Sequence, residues 1–242
     1  MVDLLKIPYL TTQQMIEVDR LMVDVFGIHL IQMMENAGRH LAVLARDRFL
    51  EGDPENKRII VLAGSGGNGG GALVSARNLH NWGADIEIFL TRPFSDLAGV
   101  VQKQAGILNA MGLQFRTASE LGKLSDLDLV IDGIIGYSLQ GAPRGAAADL
   151  ITWANDQNTP ILSLDLPSGL DPLTGEVYQP AIEADATMTL ALPKIGLKSA
   201  ASAVVGELYL ADIGVPAELY QQPSLQLQVA PIFHEGQIIR LI

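Results

Sequence analysis

The protein has 242 residues and a formal net charge of −11, with 48% hydrophobic residues and no cysteine. The acidic balance argues against nucleic acid as the main partner, because phosphate backbones are held by clustered Lys and Arg side chains. The lack of cysteine excludes disulfides, and four scattered histidines argue against a zinc site. No apolar run approaches the roughly 20 residues of a membrane span, and the N-terminus does not fit a signal peptide. We therefore expect one cytoplasmic domain, residues 1–242, without a membrane partner.

Two helices are predicted at the start of the chain. Thr11 and Gln14 fit a capping box, and an apolar stripe at helical spacing follows from Met15 to Val25. Asp19 lies on or beside this stripe, and the favoured prediction is a surface or cap-bonded acid.

The second predicted helix, residues 30–49, contains the motif MMENAG. Glu35 and Asn36 lie close to its buried face and need partners there, either as structural hydrogen-bonding groups or as part of a pocket wall. Met33 and Met34 are predicted to fill the core or an interface.

A glycine-rich stretch follows the first predicted strand, which ends at Ala63. We predict a loop over residues 64–71 and a helix that begins at Ala72. The free amides at a helix N-terminus can bind an anion, so a phosphate-bearing small molecule is the first candidate ligand. The alternative is a tight turn without a ligand.

The rest of the chain alternates predicted strands and helices. Strands are predicted at residues 85–90, 114–117, 128–132, 161–166, 185–192 and 207–211, and helices at residues 96–111 and 145–155. This alternation is typical of βαβ units, so the prediction is an α/β fold with a mostly parallel sheet and an N-terminal helical pair packed on it.

Three predicted strands end in polar loops, and the carboxyl ends of parallel strands share one edge of the sheet. Asn68, Asp132, Asp165 and Ser168 would therefore converge on one crevice. These are oxygen donors, which suit a hard cation rather than zinc or copper. A carboxylate in such a site can also donate or accept a proton. The alternative for both aspartates is a structural role, which for Asp132 would be capping of the following turn.

Two basic residues could reach the same edge. Lys194 could hold a phosphate, shuttle a proton or be a solvated side chain. Arg144 has the same alternatives, and its glycine-flanked loop favours a phosphate contact.

Six motifs resemble, in order and spacing, the NAD(P)H-hydrate epimerase family of the YjeF N-terminal domain type. They are MMENAG (33–38), GSGGNGGGALVSARNL (64–79), DGIIGYS (132–138), SLDLPSGLDPLTGEV (163–177), DATMTLALPKIGL (185–197) and GELYLADIGVP (206–216). The resemblance covers residues 9–216. It implies a Rossmann-like three-layer α/β/α sandwich, usually dimeric, that interconverts the R and S epimers of hydrated NADH and NADPH in nicotinamide nucleotide repair.

The resemblance also implies particular site residues. It implies a potassium ion (K+) bound by Asn68, Asp132 and Ser168, and proton transfer by Asp165 with Lys194 as a helper. The implied substrate contacts are Gly67, Asn68, Gly69, Gly70, Gly71, Gly136, Tyr137, Ser138, Leu139, Gln140, Gly141, Ala142 and Asp165. A dehydratase that acts on one epimer is expected as a separate chain, and the protein is expected to form a homodimer.

The chain departs from the resemblance at one loop. Where the family reads NNGGD, residues 67–71 read GNGGG. An aspartate at the last position would stabilise the helix start by about 0.5–1 kcal/mol and could contact the substrate.

Two alternative functions follow from the sequence. One is a catalytically impaired nucleotide-binding or scaffold protein on the same fold. The other is a nicotinamide-dependent oxidoreductase, which the glycine stretch alone would allow but which is disfavoured because Thr91 and Arg92 replace the expected acid after the second strand.

Overall fold

Eight strands form one sheet in the computed structural model, which describes residues 7–122, 124–200 and 202–241. The strands are β1 (Arg58–Ala63), β2 (Asp85–Leu90), β3 (Phe115–Thr117), β4 (Leu129–Gly133), β5 (Ile161–Leu164), β6 (Ala186–Leu190), β7 (Glu207–Ala211) and β8 (Ile238–Arg240). Their order is β3-β2-β1-β4-β5-β6-β7-β8, and only β8 runs antiparallel to its neighbour. The predicted mostly parallel sheet is confirmed, and β8 is an additional edge strand.

Eight α-helices connect or cover these strands in the described parts of the chain. They are α1 (Thr12–Asp24), α2 (Leu30–Phe49), α3 (Gly67–Asn81), α4 (Gly99–Ala110), α5 (Ala146–Asn155), α6 (Ile195–Ser199), α7 (Ser202–Val205) and α8 (Ala217–Tyr220). The predicted capping box of α1 is present, with the Gln14 backbone amide donating to Thr11 Oγ1 over 3.1 Å. None of the described helices is long and apolar enough to cross a membrane.

Alternate residues of the strands pack on two different helical layers. In β1, Ile59 and Val61 join the cluster that contains residues of α2, α3 and α4. Ile60 and Leu62 face the other way, into the cluster that contains Leu150 of α5. All these side chains are buried, and each fully buried one contributes roughly 1.5–3 kcal/mol. The three-layer α/β/α sandwich is therefore confirmed.

The glycine-rich stretch is mostly helix, not loop as predicted. α3 begins at Gly67, five residues before the predicted start at Ala72, so residues 67–71 form its first turns. The low helix propensity of glycine is overridden by packing, because α3 lies too close to its neighbours for side chains. A Cβ on Gly69 would collide with the Gly64 backbone, and one on Gly70 would lie 2.6 Å from Met34 Sδ.

Two strands end earlier than their apolar patterns indicate. β5 ends at Leu164 and β6 ends at Leu190, although the predicted strands continue to residues 166 and 192. The next residues, Asp165 and Ala191, have left-handed backbones with φ of 67° and 61°. Such a conformation cannot continue a strand, and it turns the chain at the carboxyl edge of the sheet.

Candidate active site

A cavity of about 590 Å³ opens at the carboxyl ends of β1, β4, β5 and β6. This volume is typical of small-molecule sites. It lies where β1 is flanked by β2 on one side and β4 on the other, which is the point at which α/β sheets bind ligands. The predicted residues that line it are Gly67, Asn68, Gly71, Gly136, Tyr137, Ser138, Arg144, Asp165 and Lys194.

The other predicted residues lie behind or beside the cavity wall. Gly69, Gly70, Leu139, Gln140, Gly141, Ala142, Asp132 and Ser168 do not line it. Gly69 and Gly70 serve close packing, whereas Asp132 and Ser168 are completely buried.

A buried ion pair lies in the wall of the cavity. Lys194 Nζ contacts Asp165 Oδ1, and these residues are 0% and 2% exposed. Lys194 also donates to the Leu190 carbonyl oxygen over 2.9 Å, while the Tyr137 amide donates to Asp165 Oδ2 over 3.1 Å. The alternative of a solvated lysine is therefore wrong. A buried pair with its other hydrogen bonds satisfied holds one carboxylate and one ammonium at a defined position beside a ligand.

Two strained backbone positions belong to the segments that carry this ion pair. Asp165 follows β5 and Ala191 follows β6, and both have the left-handed conformation described above. Each such non-glycine residue costs about 1–3 kcal/mol, and such strain clusters at functional sites. The sharp turn after β5 brings the Asp165 carboxylate to the Lys194 ammonium.

Asp132 is held by four hydrogen bonds in the interior. Oδ1 accepts from the Ile134 amide over 3.1 Å and from Ser168 Oγ over 2.6 Å. Oδ2 accepts from Ser163 Oγ over 2.8 Å and from the Ser168 amide over 2.9 Å. Burial raises the pKa of the Asp132 carboxyl, and the hydrogen bonds from Ser168 and Ile134 oppose this shift. Asp132 therefore caps the following turn through the hydrogen bond that it accepts from the Ile134 amide, as the structural alternative predicts.

Asn68 is oriented by a single hydrogen bond near the start of α3. Its Nδ2 donates to the Leu164 carbonyl oxygen over 2.7 Å, and no donor among the described residues contacts its Oδ1. A Cβ on Gly136 would lie 2.7 Å from Asn68 Oδ1 and 3.0 Å from Asp165 Oδ2. The glycine therefore keeps open a small space between these two oxygens.

The oxygen groups suit a K+ ion in chemical type. Asn68 Oδ1 is available, but all four acceptor positions of Asp132 are taken by protein donors. One becomes free when Ser168 turns its hydroxyl hydrogen to the Ile135 carbonyl oxygen, which is 3.2 Å from Oγ. The donor set fits K+ on that condition. Among the described residues, no group of three His, Cys, Asp or Glu side chains could hold a metal.

Asp19 lines the cavity, so the prediction of a surface or cap-bonded acid is wrong. Its Oδ2 accepts a hydrogen bond from the Tyr137 hydroxyl. Burial raises the pKa of the Asp19 carboxyl, although Tyr137 and Lys194 oppose this shift. One signal was available in the sequence: Asp19 comes four residues after Met15 of the apolar stripe, so the two share a helix face.

The remaining predicted polar groups of α2 have separate structural partners. Glu35 accepts from Arg77 and from Gln104, and Asn36 Nδ2 donates to the Ile213 carbonyl oxygen over 3.2 Å. Glu35 and Asn36 are absent from the cavity wall, so the structural alternative is confirmed for both.

Met33 and Met34 are buried as predicted and also line the cavity, as do Thr91 and Arg92 after β2.

The fold and the cavity define a Rossmann-like α/β protein with a ligand site at the carboxyl edge of its sheet. A family model described as YjeF-related protein N-terminus matches residues 30–196. The chain therefore belongs to this family.

Individual relatives match nearly the whole chain. A Dehalogenimonas lykanthroporepellens protein named NAD(P)H-hydrate epimerase is 40% identical over 237 residues, covering 96% of this chain and 92% of the relative. A Rhodopirellula baltica protein of the same name is 34% identical, covering 93% and 92%. The crystal structure of yeast ynu0 superimposes with a TM-score of 0.81 over 96% of this chain and 99% of the yeast chain, at 24% identity, and it supports the fold.

Proposed function

We propose that this protein is an isomerase, an NAD(P)H-hydrate epimerase that interconverts the R and S forms of hydrated NADH and NADPH. The observation that carries the proposal is the buried Asp165–Lys194 pair in the wall of a ligand-sized cavity. The near full-length similarity to two relatives named for this activity supports it.

The proposed chemistry follows from the structure of the hydrated ring. Water adds to the ring carbon beside the nitrogen, because the nitrogen lone pair stabilises positive charge there. If the resulting hydroxyl leaves as water, the carbon becomes planar, and water can return to either face. This sequence needs a proton donor to the leaving oxygen and a proton acceptor from the entering water.

We assign proton transfer on one side of the ring to Asp165, with Lys194 as its partner. Both line the cavity, and both have their remaining polar contacts satisfied by Tyr137 and Leu190. Substrate contacts at Gly67, Asn68, Gly71, Gly136, Tyr137 and Ser138 complete the assignment, since all of them line the same cavity.

The direct test is chromatographic separation of R- and S-hydrated NADH after incubation with the protein. We expect re-equilibration far faster than in buffer when one purified epimer is supplied. No acceleration at high protein concentration would contradict the proposal and would favour a binding or scaffold protein. Hydride transfer from NADH to a carbonyl compound would instead indicate an oxidoreductase.

We also propose that K+ binds at Asn68, Asp132 and Ser168, which the available Asn68 Oδ1 and the turnable Ser168 hydroxyl support. Bound at this site, the ion would supply positive charge beside the substrate. At a K+ concentration of about five times the Kd, binding would stabilise the fold by about 1 kcal/mol, which raises Tm by about 2–4 °C. We expect this shift by calorimetry with KCl and a smaller one with NaCl. An equal KCl shift in Asn68→Ala would contradict the assignment.

Three properties complete the proposal. A dehydratase specific for one epimer would consume the product. A Moorella thermoacetica relative named a bifunctional NAD(P)H-hydrate repair enzyme supports such a partner, and it is 37% identical over 86% of this chain. We further propose a cytoplasmic location, where nicotinamide cofactors are abundant. A homodimer is proposed on the basis of the family resemblance.

A further inference from the structure

Asp19 and Tyr137 form a second polar pair in the cavity wall. Asp19 belongs to α1, outside the residues 30–196 that match the family model. Its carboxylate accepts the Tyr137 hydroxyl hydrogen bond, and both residues line the cavity. The proton-transfer roles proposed so far use neither side chain.

Tyr137 connects this pair to the Asp165–Lys194 pair. Its backbone amide donates to Asp165 Oδ2 over 3.1 Å, and its side-chain hydroxyl donates to Asp19 Oδ2. The two carboxyl groups therefore contact opposite ends of one tyrosine. Because the amide and the hydroxyl of a tyrosine are separated by the ring, two distinct proton-transfer positions face one cavity.

The position of α1 is coupled to Lys194 through the backbone. Leu10, just before the cap of α1, forms an isolated parallel bridge with Lys194. Its amide donates to the Pro193 carbonyl oxygen over 2.8 Å, and its carbonyl oxygen accepts from the Ile195 amide over 3.0 Å. The segment that carries Asp19 is thus anchored beside the other half of the site.

The electrostatic surroundings of Asp19 suit a group that exchanges a proton. No basic side chain within the described residues forms an ion pair with it, and the charged groups that act on it are Lys194 and Asp165. Burial raises the pKa of its carboxyl, so the neutral form is more accessible than for a surface aspartate. The Tyr137 hydroxyl stays protonated, because burial and the Asp19 charge raise its pKa.

We propose that Asp19, acting through the Tyr137 hydroxyl, is the second proton-transfer group of the epimerisation; this rests on the proposed function. On one face, a proton from the Asp165–Lys194 pair joins the leaving hydroxyl, the carbon–oxygen bond breaks, and water departs. On the other face, water forms a new carbon–oxygen bond and gives its proton to Tyr137, which passes its own to Asp19. The reverse epimerisation uses the same steps backwards. When the protein turns over repeatedly in one direction, solvent takes the proton from Asp19 and returns one to the Asp165–Lys194 pair.

The decisive variant is Asp19→Asn. Asparagine keeps the shape and still accepts the Tyr137 hydrogen bond, but it cannot take up a proton. A purely structural role would therefore survive the change. We expect kcat for R/S exchange to fall at least tenfold while KM changes less than threefold, and Tyr137→Phe to show the same pattern.

Asp24→Asn is the matched control, since it removes the same charge from the exposed end of the same helix. We expect it to keep the wild-type kcat.

Exchange carried out in ¹⁸O-water should introduce the label into the product at the rate of epimerisation.

Two results would overturn the inference about Asp19: a wild-type kcat in Asp19→Asn, or epimerisation without the ¹⁸O label. If the wild-type protein itself fails to exchange the epimers, the proposed function is what fails. The two failures are therefore distinguishable within one set of measurements.

Discussion

Asp165→Asn is expected to lower the rate of R/S exchange by about 10²–10⁴-fold, the usual contribution of a positioned general acid or base. The asparagine keeps an oxygen that can accept the Tyr137 amide, but it can neither hold nor release a proton at neutral pH. The loss should appear mainly in kcat, because the shape of the cavity is preserved. Chromatography of the two epimers measures it directly, and exchange at the wild-type rate would contradict the assignment.

The same substitution also affects stability, since it leaves the Lys194 ammonium buried without its carboxylate. Removing one partner of a buried ion pair typically costs about 3–5 kcal/mol. The double variant Asp165→Asn with Lys194→Met removes the unpaired charge and therefore tests whether instability causes the loss of exchange. We expect it to regain much of the lost stability in urea unfolding and to remain inactive. Recovered activity in the double variant would show that instability caused the loss.

Gly69→Ala is expected to destabilise the fold by at least about 3 kcal/mol, the upper range for overpacking. An added Cβ would lie 2.6 Å from the Gly64 carbonyl carbon and closer still to its oxygen. These are backbone atoms of the residue that directly follows β1, so they cannot move aside as a side-chain tip could. For a chain of this size the expected Tm decrease is roughly 6–12 °C. Thermal unfolding followed by circular dichroism measures it.

Gly67→Ala is the matched control in the same first turn of α3. A Cβ on Gly67 meets no atom within 4 Å, and alanine is the better helix former by about 1 kcal/mol. We expect its stability to equal or slightly exceed that of the wild type. Equal destabilisation by both substitutions would show that loss of glycine flexibility, rather than close packing, matters at this turn.

Secondary structure was predictable wherever local patterns are strong. The residues of α2 agree with the prediction, and the capping box of α1 is where Thr11 and Gln14 indicate it. The start of α3 was predicted wrongly, because propensity places glycines in loops. In the fold, Gly69 and Gly70 are helical since neighbouring atoms occupy the space that side chains would need.

The candidate site was partly predictable, because part of it follows from the topology of a parallel sheet. Parallel strands bring their carboxyl ends to one edge, so the convergence of Asn68 and Asp165 follows from topology. The ion pair of Lys194 does not, because the sequence cannot say whether a lysine beyond a strand turns inward. The cavity position of Asp19 depends on how α1 packs against the loop that carries Tyr137.

The sequence by itself determined the α/β class, the βαβ order and the family, because periodicity, strand exits and motif spacing are properties of the chain alone. Tertiary structure alone decided which polar residues face the cavity, since that depends on contacts between distant segments. Asp132 became an interior anchor with four hydrogen bonds, whereas Asp19 and Lys194 became part of the cavity wall. Burial and partners, which no local pattern encodes, make this distinction.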